Sequence, residues 1–296
     1  MFVISKELAR NIEGVHGEAG RAWLNSVPRL VNHYSEKWDL KLDQPFENLS
    51  YNLVITGLNR EGQSIVLKLG PPCAELVAEA AALNLFAGRA AVRLLADDAD
   101  GGALLLEQVY PGTPLHELQD EVSATRTAAR LMLQLQHAPP PEHSFPSLKR
   151  WFRSLNELKA HPFPTALVEE AKETFATLAA WEAPAVILHG DLHHENILFS
   201  AERGWLAIDP KGVCGDPGCE VGTFMLNQLP RKALQSELRE ILSRRLSIFS
   251  DELEIEKQRL TRWAFCHAVL SASWSLEEGQ DYGRTIKIAQ LLSSLS

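Results

Sequence analysis

Between positions 186 and 211 the chain sets three oxygen-bearing side chains, Asp191, Asn196 and Asp209, at the ends of short apolar runs. Val186-Ile187-Leu188 delivers His189 and Asp191 into the polar stretch Gly190-Asp191-Leu192-His193-His194-Glu195-Asn196. A second run, Ile197-Leu198-Phe199, leaves from Asn196. After a turn, Trp205-Leu206-Ala207-Ile208 ends at Asp209-Pro210-Lys211. If these runs are strands, their ends bring the three groups around one cleft. Phosphoryl transfer needs that set. One carboxylate orients an attacking hydroxyl and takes its proton, while an amide and a second carboxylate hold Mg2+, a hard cation that prefers oxygen. The spacing His-x-Asp-x-x-x-x-Asn, followed later by an apolar residue and Asp, is that of a kinase catalytic loop.

Neighbouring residues carry plainer readings. His189 is expected to pack under the loop and bond backbone. His193 and His194 together with His189 would suggest zinc, but no cysteine is near and magnesium accounts better for the oxygens. Asp191 could be a strand-end cap, yet its partners favour chemistry. Asp209-Pro210 could be only a turn, and Asp216-Pro217 reads as one. Glu220 and the cluster Glu277, Glu278 and Asp281 could line a pocket for a cation; a solvated face explains that cluster equally well. Trp23, Trp38, Trp151 and Trp263 lie at helical spacing among apolar residues, where core packing is the default.

The elements that must position these groups change character along the chain. Apolar residues at helical spacing over 17–40 predict an amphipathic helix, with Pro28 as its kink or break. The β-rich runs 51–56 and 64–69, separated by Asn59-Arg60-Glu61-Gly62, predict a hairpin. Cys73 to Ala87 predicts a helix that ends at Gly88, and short strands follow over 91–96 and 103–107. Beyond Tyr110-Pro111-Gly112-Thr113-Pro114 the pattern is helical, over about 116–137, 147–160 and 165–181. A β-containing segment at 185–216 interrupts it, and helices return over about 231–248, 252–278 and 282–295. The fold class is α+β rather than alternating βαβ, a small β-rich lobe preceding a larger helical one.

Composition narrows the function classes. The chain is 45% hydrophobic and 23% charged, ordinary for a globular protein of 296 residues, which is long enough for two lobes. Its net charge of -9, from 38 acidic against 29 basic side chains, disfavours nucleic acid and anionic membrane. The same charge suits a cationic small molecule. The N-terminus turns polar too early for a signal peptide, and no apolar run approaches the ~20 residues that span a bilayer. Cys73, Cys214, Cys219 and Cys266 form no zinc-type spacing and read as reduced thiols. The expected compartment is therefore the cytoplasm.

The words His-Gly-Asp-Leu-His-His-Glu-Asn-Ile-Leu (189–198) and Trp-Leu-Ala-Ile-Asp-Pro-Lys-Gly (205–212) resemble those of aminoglycoside phosphotransferases in the protein-kinase-like superfamily. Gly-Asp-Pro-Gly-Cys-Glu (215–220), Val-Leu-Lys-Leu (66–69) and Leu-Leu-Leu-Glu (104–107) extend the likeness over about 15–285. The Ile-Asp-Pro-Lys-Gly word points more narrowly to the aminoglycoside/hydroxyurea resistance kinases. The resemblance implies a two-lobed protein-kinase-like fold: a nucleotide-binding lobe over 1–107, a hinge over 108–114 and a helical lobe with the acceptor site over 115–296. It implies ATP and Mg2+ as cofactors, Asp191 as the catalytic base, and Asn196 and Asp209 as metal ligands. Lys68 would contact the α and β phosphates, with Glu79 holding its ammonium and Glu75 as the rival partner one turn earlier. A snorkelling surface lysine is the plain alternative for Lys68. Backbone groups of Glu107, Gln108 and Val109 would meet the adenine edge. Asp216 would bond the catalytic-loop backbone.

One departure from the kinase pattern lies in the turn Asn48-Leu49-Ser50-Tyr51-Asn52, which has no glycine. Ser50 and Asn52 are the candidate phosphate contacts there. No Walker-type glycine-lysine word is present. The acceptor implied by the resemblance is an aminoglycoside, streptomycin at its 6-hydroxyl first. The alternatives are a kinase of an amino alcohol, sugar or nucleoside, or a non-catalytic nucleotide-binding module, against which Lys68, Asp191, Asn196 and Asp209 all stand intact. Oligomeric state is not legible here.

Overall fold

A computed structural model describes residues 4–46, 51–156, 158, 163–180 and 184–295. It divides into two compact units, Met1–Tyr110 and Pro111–Ser296.

The first unit opens with helix α1, Lys6–Lys37, whose start is capped by Ser5 Oγ accepting the Leu8 N–H at 3.1 Å. The helix begins well before the span legible in sequence. Its break is at Gly17 (φ 56°, ψ -129°), while Pro28 stays within helical backbone. Glycine has no Cβ to oppose positive φ, whereas a proline removes one hydrogen bond that a long helix can forgo. Strands β1 (Lys41–Pro45), β2 (Leu53–Leu58), β3 (Ser64–Leu69), β4 (Leu94–Asp98) and β5 (Ala103–Glu107) form one antiparallel sheet in the order β1-β2-β3-β5-β4. Helix α2, Ala74–Phe86, lies between β3 and β4 in sequence.

The β2–β3 hairpin pairs Val54 with Lys68 and Leu58 with Ser64. Asn59 builds its turn: Oδ1 accepts the N–H of Glu61 and of Gln63, at 3.0 and 2.9 Å. Strand alternation then sorts the faces. Ile65, Leu67 and Leu69 join Leu53, Ile55 and Leu105 in a core closed by Trp23, Val27, Val31 and Tyr34 of α1. Lys68 takes the opposite face. Strand β1 has one apolar residue and an exposed pattern, so no alternation marked it in sequence.

The second unit holds a three-stranded sheet, β6-β8-β9, and a two-stranded one, β10-β7. Their ranges are β6 Pro111–Pro114, β7 Val186–Leu188, β8 Ile197–Ser200, β9 Gly204–Ala207 and β10 Val213–Gly215. Pro111–Pro114, which reads as a connecting segment, is a strand because β8 pairs with it. The helices are α3 (Glu121–Leu135), α4 (Leu148–Arg153), α5 (Thr165–Ala179), α6 (Val221–Leu226), α7 (Gln235–Leu253), α8 (Lys257–Glu277) and α9 (Gly283–Ser293). Twelve residues of α8 are buried, Trp263, Phe265 and Leu270 among them, which makes this helix the axis of the unit. Glu254 in the left-handed region (φ 55°) separates α7 from α8. Among the described residues no helix is long and apolar enough to cross a membrane.

Candidate active site

In the first unit, Lys68 and Glu79 are brought together by a strand, a turn and a helix. Lys68 Nζ donates to both Glu79 oxygens, at 2.7 and 2.8 Å, and the two side chains are only 4% and 9% exposed. Glu79, rather than Glu75, is therefore the carboxylate that grips the ammonium with both oxygens. A charge pair this deep is held by geometry, since each member alone would face an unpaired desolvation cost.

The segment after β5 is tied back into its own unit. Glu107 Oε1 accepts the Arg93 N–H at 2.8 Å, the Glu107 N–H donates to Arg93 O at 3.1 Å, and the Gln108 N–H donates to Ser64 O at 3.2 Å. Two of the three hinge N–H groups are thus engaged, and Val109 supplies the third. Asn52 lies just ahead of β2, its Oδ1 pressed against Gly70, where a Cβ would sit 2.2 Å away. Ser50 falls outside the described residues.

In the second unit, β7 ends at Leu188, and after His189 the chain turns through Gly190 (φ 80°) into Asp191. A side chain at Gly190 would lie 2.9 Å from Trp151 and 3.3 Å from Lys211 Cβ, so the turn requires glycine twice over. His189 is fully buried. Its Nε2 lies 2.8 Å from Ile208 O, and its Nδ1 accepts the Asp191 N–H at 3.2 Å. That acceptance fixes the neutral tautomer with hydrogen on Nε2, which donates to Ile208. Burial pushes the imidazole pKa down to about 3, outweighing the pull of the Ile208 carbonyl and the Asp209 charge. His189 is a strut between the loop and the strand that carries Asp209, as its sequence reading expects.

The loop is closed by its own main chain. The His193 N–H and Asn196 Nδ2 both donate to Asp191 O, each at 3.0 Å. With Nδ2 spent inward, the amide oxygen of Asn196 is the end left to meet a cation. Ile208 N–H donates to Asn196 O at 2.9 Å, which sets Asp209 beside Asn196 in a left-handed turn (φ 57°). A non-glycine residue at positive φ is strained and is kept where the side chain must point a given way. Among the described residues no group of three or more His, Cys, Asp or Glu could hold a metal. The pair Asn196–Asp209 offers two oxygen ligands, which fits Mg2+, an ion that completes its shell with water and substrate phosphate.

Two expectations are corrected. Glu220 does not line an acceptor pocket: its Oε2 accepts the His189 N–H at 2.7 Å and its Oε1 the Gly190 N–H at 2.9 Å. Asp216 does not hold the catalytic loop; it accepts the Gly218 N–H at 2.8 Å and pairs with Arg259. The longer side chain, four residues on and buried, reaches the loop instead. Only the fold could say so, since both are acidic residues in one short word.

Burial raises the Glu220 pKa to about 7; the Gly190 and His189 N–H groups pull it down, and the Asp191 charge adds to the rise. A carboxyl whose folded value exceeds its ordinary 4.5 binds more protons folded than unfolded between those pH values. Its contribution to stability is therefore complete below about 4.5 and lost as pH rises to about 7. Glu220→Gln should remove that component. The urea midpoint of the wild type, minus that of the variant, should fall from pH 4.5 to pH 7. Parallel profiles would count against the protonation. His194 and His267, with pKa values lowered to about 3 and 4 mainly by burial, cancel in the difference.

An antiparallel sheet carrying a buried Lys–Glu pair and a helical unit carrying Asp191, Asn196 and Asp209 on adjoining loops are the parts of a protein-kinase-like phosphotransferase. The fold agrees: the choline kinase LicA of Streptococcus pneumoniae superposes with a TM-score of 0.65 at 15% identity, over 90% of this chain and 99% of that one. Residues 37–279 match the aminoglycoside/hydroxyurea antibiotic resistance kinase family, and the chain belongs to it. A streptomycin 6-kinase of Streptomyces griseus is 29% identical over 290 residues, covering 92% of this chain and 90% of that protein. A hydroxyurea phosphotransferase of Kitasatospora aureofaciens is 30% identical over 280 residues, covering 89% and 77%. The chain is accordingly an ATP-dependent kinase of small molecules.

Proposed function

We propose that this kinase phosphorylates a hydroxyl of an aminoglycoside, with the 6-hydroxyl of streptomycin as first choice, and so inactivates the antibiotic. The observation that carries the chemistry is the closed loop in which Asn196 Nδ2 and the His193 N–H clamp the Asp191 carbonyl. That clamp holds the Asp191 carboxylate in one place to orient the attacking hydroxyl and accept its proton. Lys68, held by Glu79, contacts the α and β phosphates, and Asn52, just ahead of β2, and Ser50 are further phosphate contacts. The Val109 N–H takes the adenine edge, beside the Glu107 carbonyl. Asn196 and Asp209 hold Mg2+, which when bound neutralises charge on the phosphates. The residues up to 107 form the nucleotide-binding lobe, those from 115 onward the acceptor lobe, and 108–114 join them. The streptomycin choice is supported by the relative of that name and by the net charge of -9, which suits a guanidinium-bearing acceptor. The hydroxyurea phosphotransferase relative supports a second reading, a small neutral hydroxyl acceptor.

Incubation with radiolabelled γ-phosphate ATP, magnesium and a panel of streptomycin, other aminoglycosides and hydroxyurea tests this. Streptomycin should gain one phosphate by mass spectrometry, at the 6-hydroxyl by NMR. Chelating the magnesium should stop turnover, and adding it back should restore it. A panel without labelled streptomycin would overturn the assignment while leaving the kinase class intact.

A further inference from the structure

The stripe of α8 that faces the catalytic segment runs through Arg259, Trp263 and His267, on successive turns, and Trp274 two turns further along the same face. Each meets a defined partner. Arg259 pairs with Asp216, Trp263 abuts Gly218, and the His267 ring abuts Gly222 and lies 3.1 Å from Thr223 Oγ1. Trp274 meets Trp151 edge to face, with centroids 5.5 Å apart and planes at 85°. The first three contacts bury their residues or tie them to the core. The last differs: Trp151 and Trp274 are only partly buried, as Trp38 and Trp205 are, whereas Trp23 and Trp263 are buried. Trp274 also meets the His267 ring edge to face, with centroids 6.3 Å apart, so the pair is braced from the core side while part of each indole stays open.

Its position is defined from the other side as well. Trp151 lies on α4, and the chain entering that helix is bonded to β10 through Cys214 N–H donating to Pro146 O at 2.8 Å. Leu148 of α4 presses on Gly215, and β10 pairs with β7, the strand that runs into His189. The Trp151 ring therefore stands against Gly190, the residue before Asp191. Trp274 lies in the last turn of α8, whose C-terminal carbonyls carry partial negative charge. Two indole walls at a right angle, one of them against the turn that leads into Asp191 and the other at the negative end of a helix, make a corner that attracts planar cations and gains nothing from anions.

We infer that Trp151 and Trp274 form the cation subsite of the acceptor, seating a guanidinium or ammonium group next to the hydroxyl that reacts at Asp191. The subsite rests on the reading of Asp191 as the base; it names two residues that select the acceptor and take no part in proton transfer. A ring face rewards a flat, weakly hydrated guanidinium more than a neutral hydroxyl compound, so it discriminates acceptors rather than raising the rate for all of them.

The test uses the full chain and streptomycin as the probe, with binding read by calorimetry separately from turnover. Trp274→Leu should weaken streptomycin binding and raise its KM by about 10-fold, the scale of a desolvated cation–π contact. Trp274→Phe should recover most of the loss, while the KM for ATP and the melting temperature stay at wild-type values. A KM for ATP that rises, or a melting temperature that falls, in step with the loss of acceptor affinity would reduce Trp274 to a packing residue and overturn the inference. Since Trp151 touches the catalytic turn, Trp151→Phe is the companion variant, expected to weaken streptomycin binding less. Streptomycin phosphorylated by both variants with unchanged affinity would sink the subsite and leave the proposed function standing. Trp274-dependent binding without phosphorylated product would sustain the subsite and remove streptomycin as substrate. No binding of streptomycin to the wild type would end both.

Discussion

Replacing Asp191 by alanine should lower kcat about 1000-fold, within the range for loss of a positioned general base, while ATP still binds. The loop should survive the change, because its fixed points are main-chain groups. The Asp191 N–H goes to His189 Nδ1, and the Asp191 carbonyl accepts from His193 and Asn196. None of these needs the carboxylate. Asp191→Asn should be nearly as slow, since an amide keeps the shape and cannot take a proton. Nucleotide affinity by calorimetry and turnover by product formation separate the two effects. Near-normal turnover in either variant would remove Asp191 from its role and with it the mechanism proposed above.

The second large effect concerns Lys68. Lys68→Ala leaves the Glu79 carboxylate buried without its cation, a change that costs about 3–5 kcal/mol when one member of a buried pair is removed. Stability alone would then explain lost activity, so the informative variant is Lys68→Met with Glu79→Leu. Two apolar side chains of similar volume should restore most of the denaturation midpoint, because neither charge is left stranded. Activity should stay down by about 100-fold, the scale for loss of one preorganised group on developing charge. If the double variant regains both stability and turnover, the pair is a structural ion bridge and the phosphate contact belongs elsewhere.

Some of this molecule is written in local pattern. The β2–β3 hairpin was legible because alternation and the Asn59–Gly62 turn act within a few residues. Helix α2 was legible from its alanine and leucine content and from Gly88 just past its end. The pairing of Lys68 with Glu79 was within reach too, since one strand, one turn and two helical turns separate them. Helix α1 was legible only in part: its apolar face marked the stretch after Gly17, whereas the break sits at that glycine and not at Pro28. The strands β1 and β6 carried no alternation; their strand character comes from β2 and β8, which supply the hydrogen bonds.

By itself the sequence determined which carboxylates, amide and lysine are present, at what spacing, and on runs whose periodicity sorts them onto strand ends. That is possible because residue type and local period are properties of neighbours in the chain. Only the tertiary structure decided that Glu220, not Asp216, holds the His189–Gly190 backbone, and that Trp151 and Trp274 meet beside that turn. Those contacts join residues dozens or more positions apart, and their geometry is set by packing around α8. Burial, which raises the Glu220 pKa and keeps Trp151 and Trp274 short of full enclosure, is likewise a property of the assembled unit and of no segment within it.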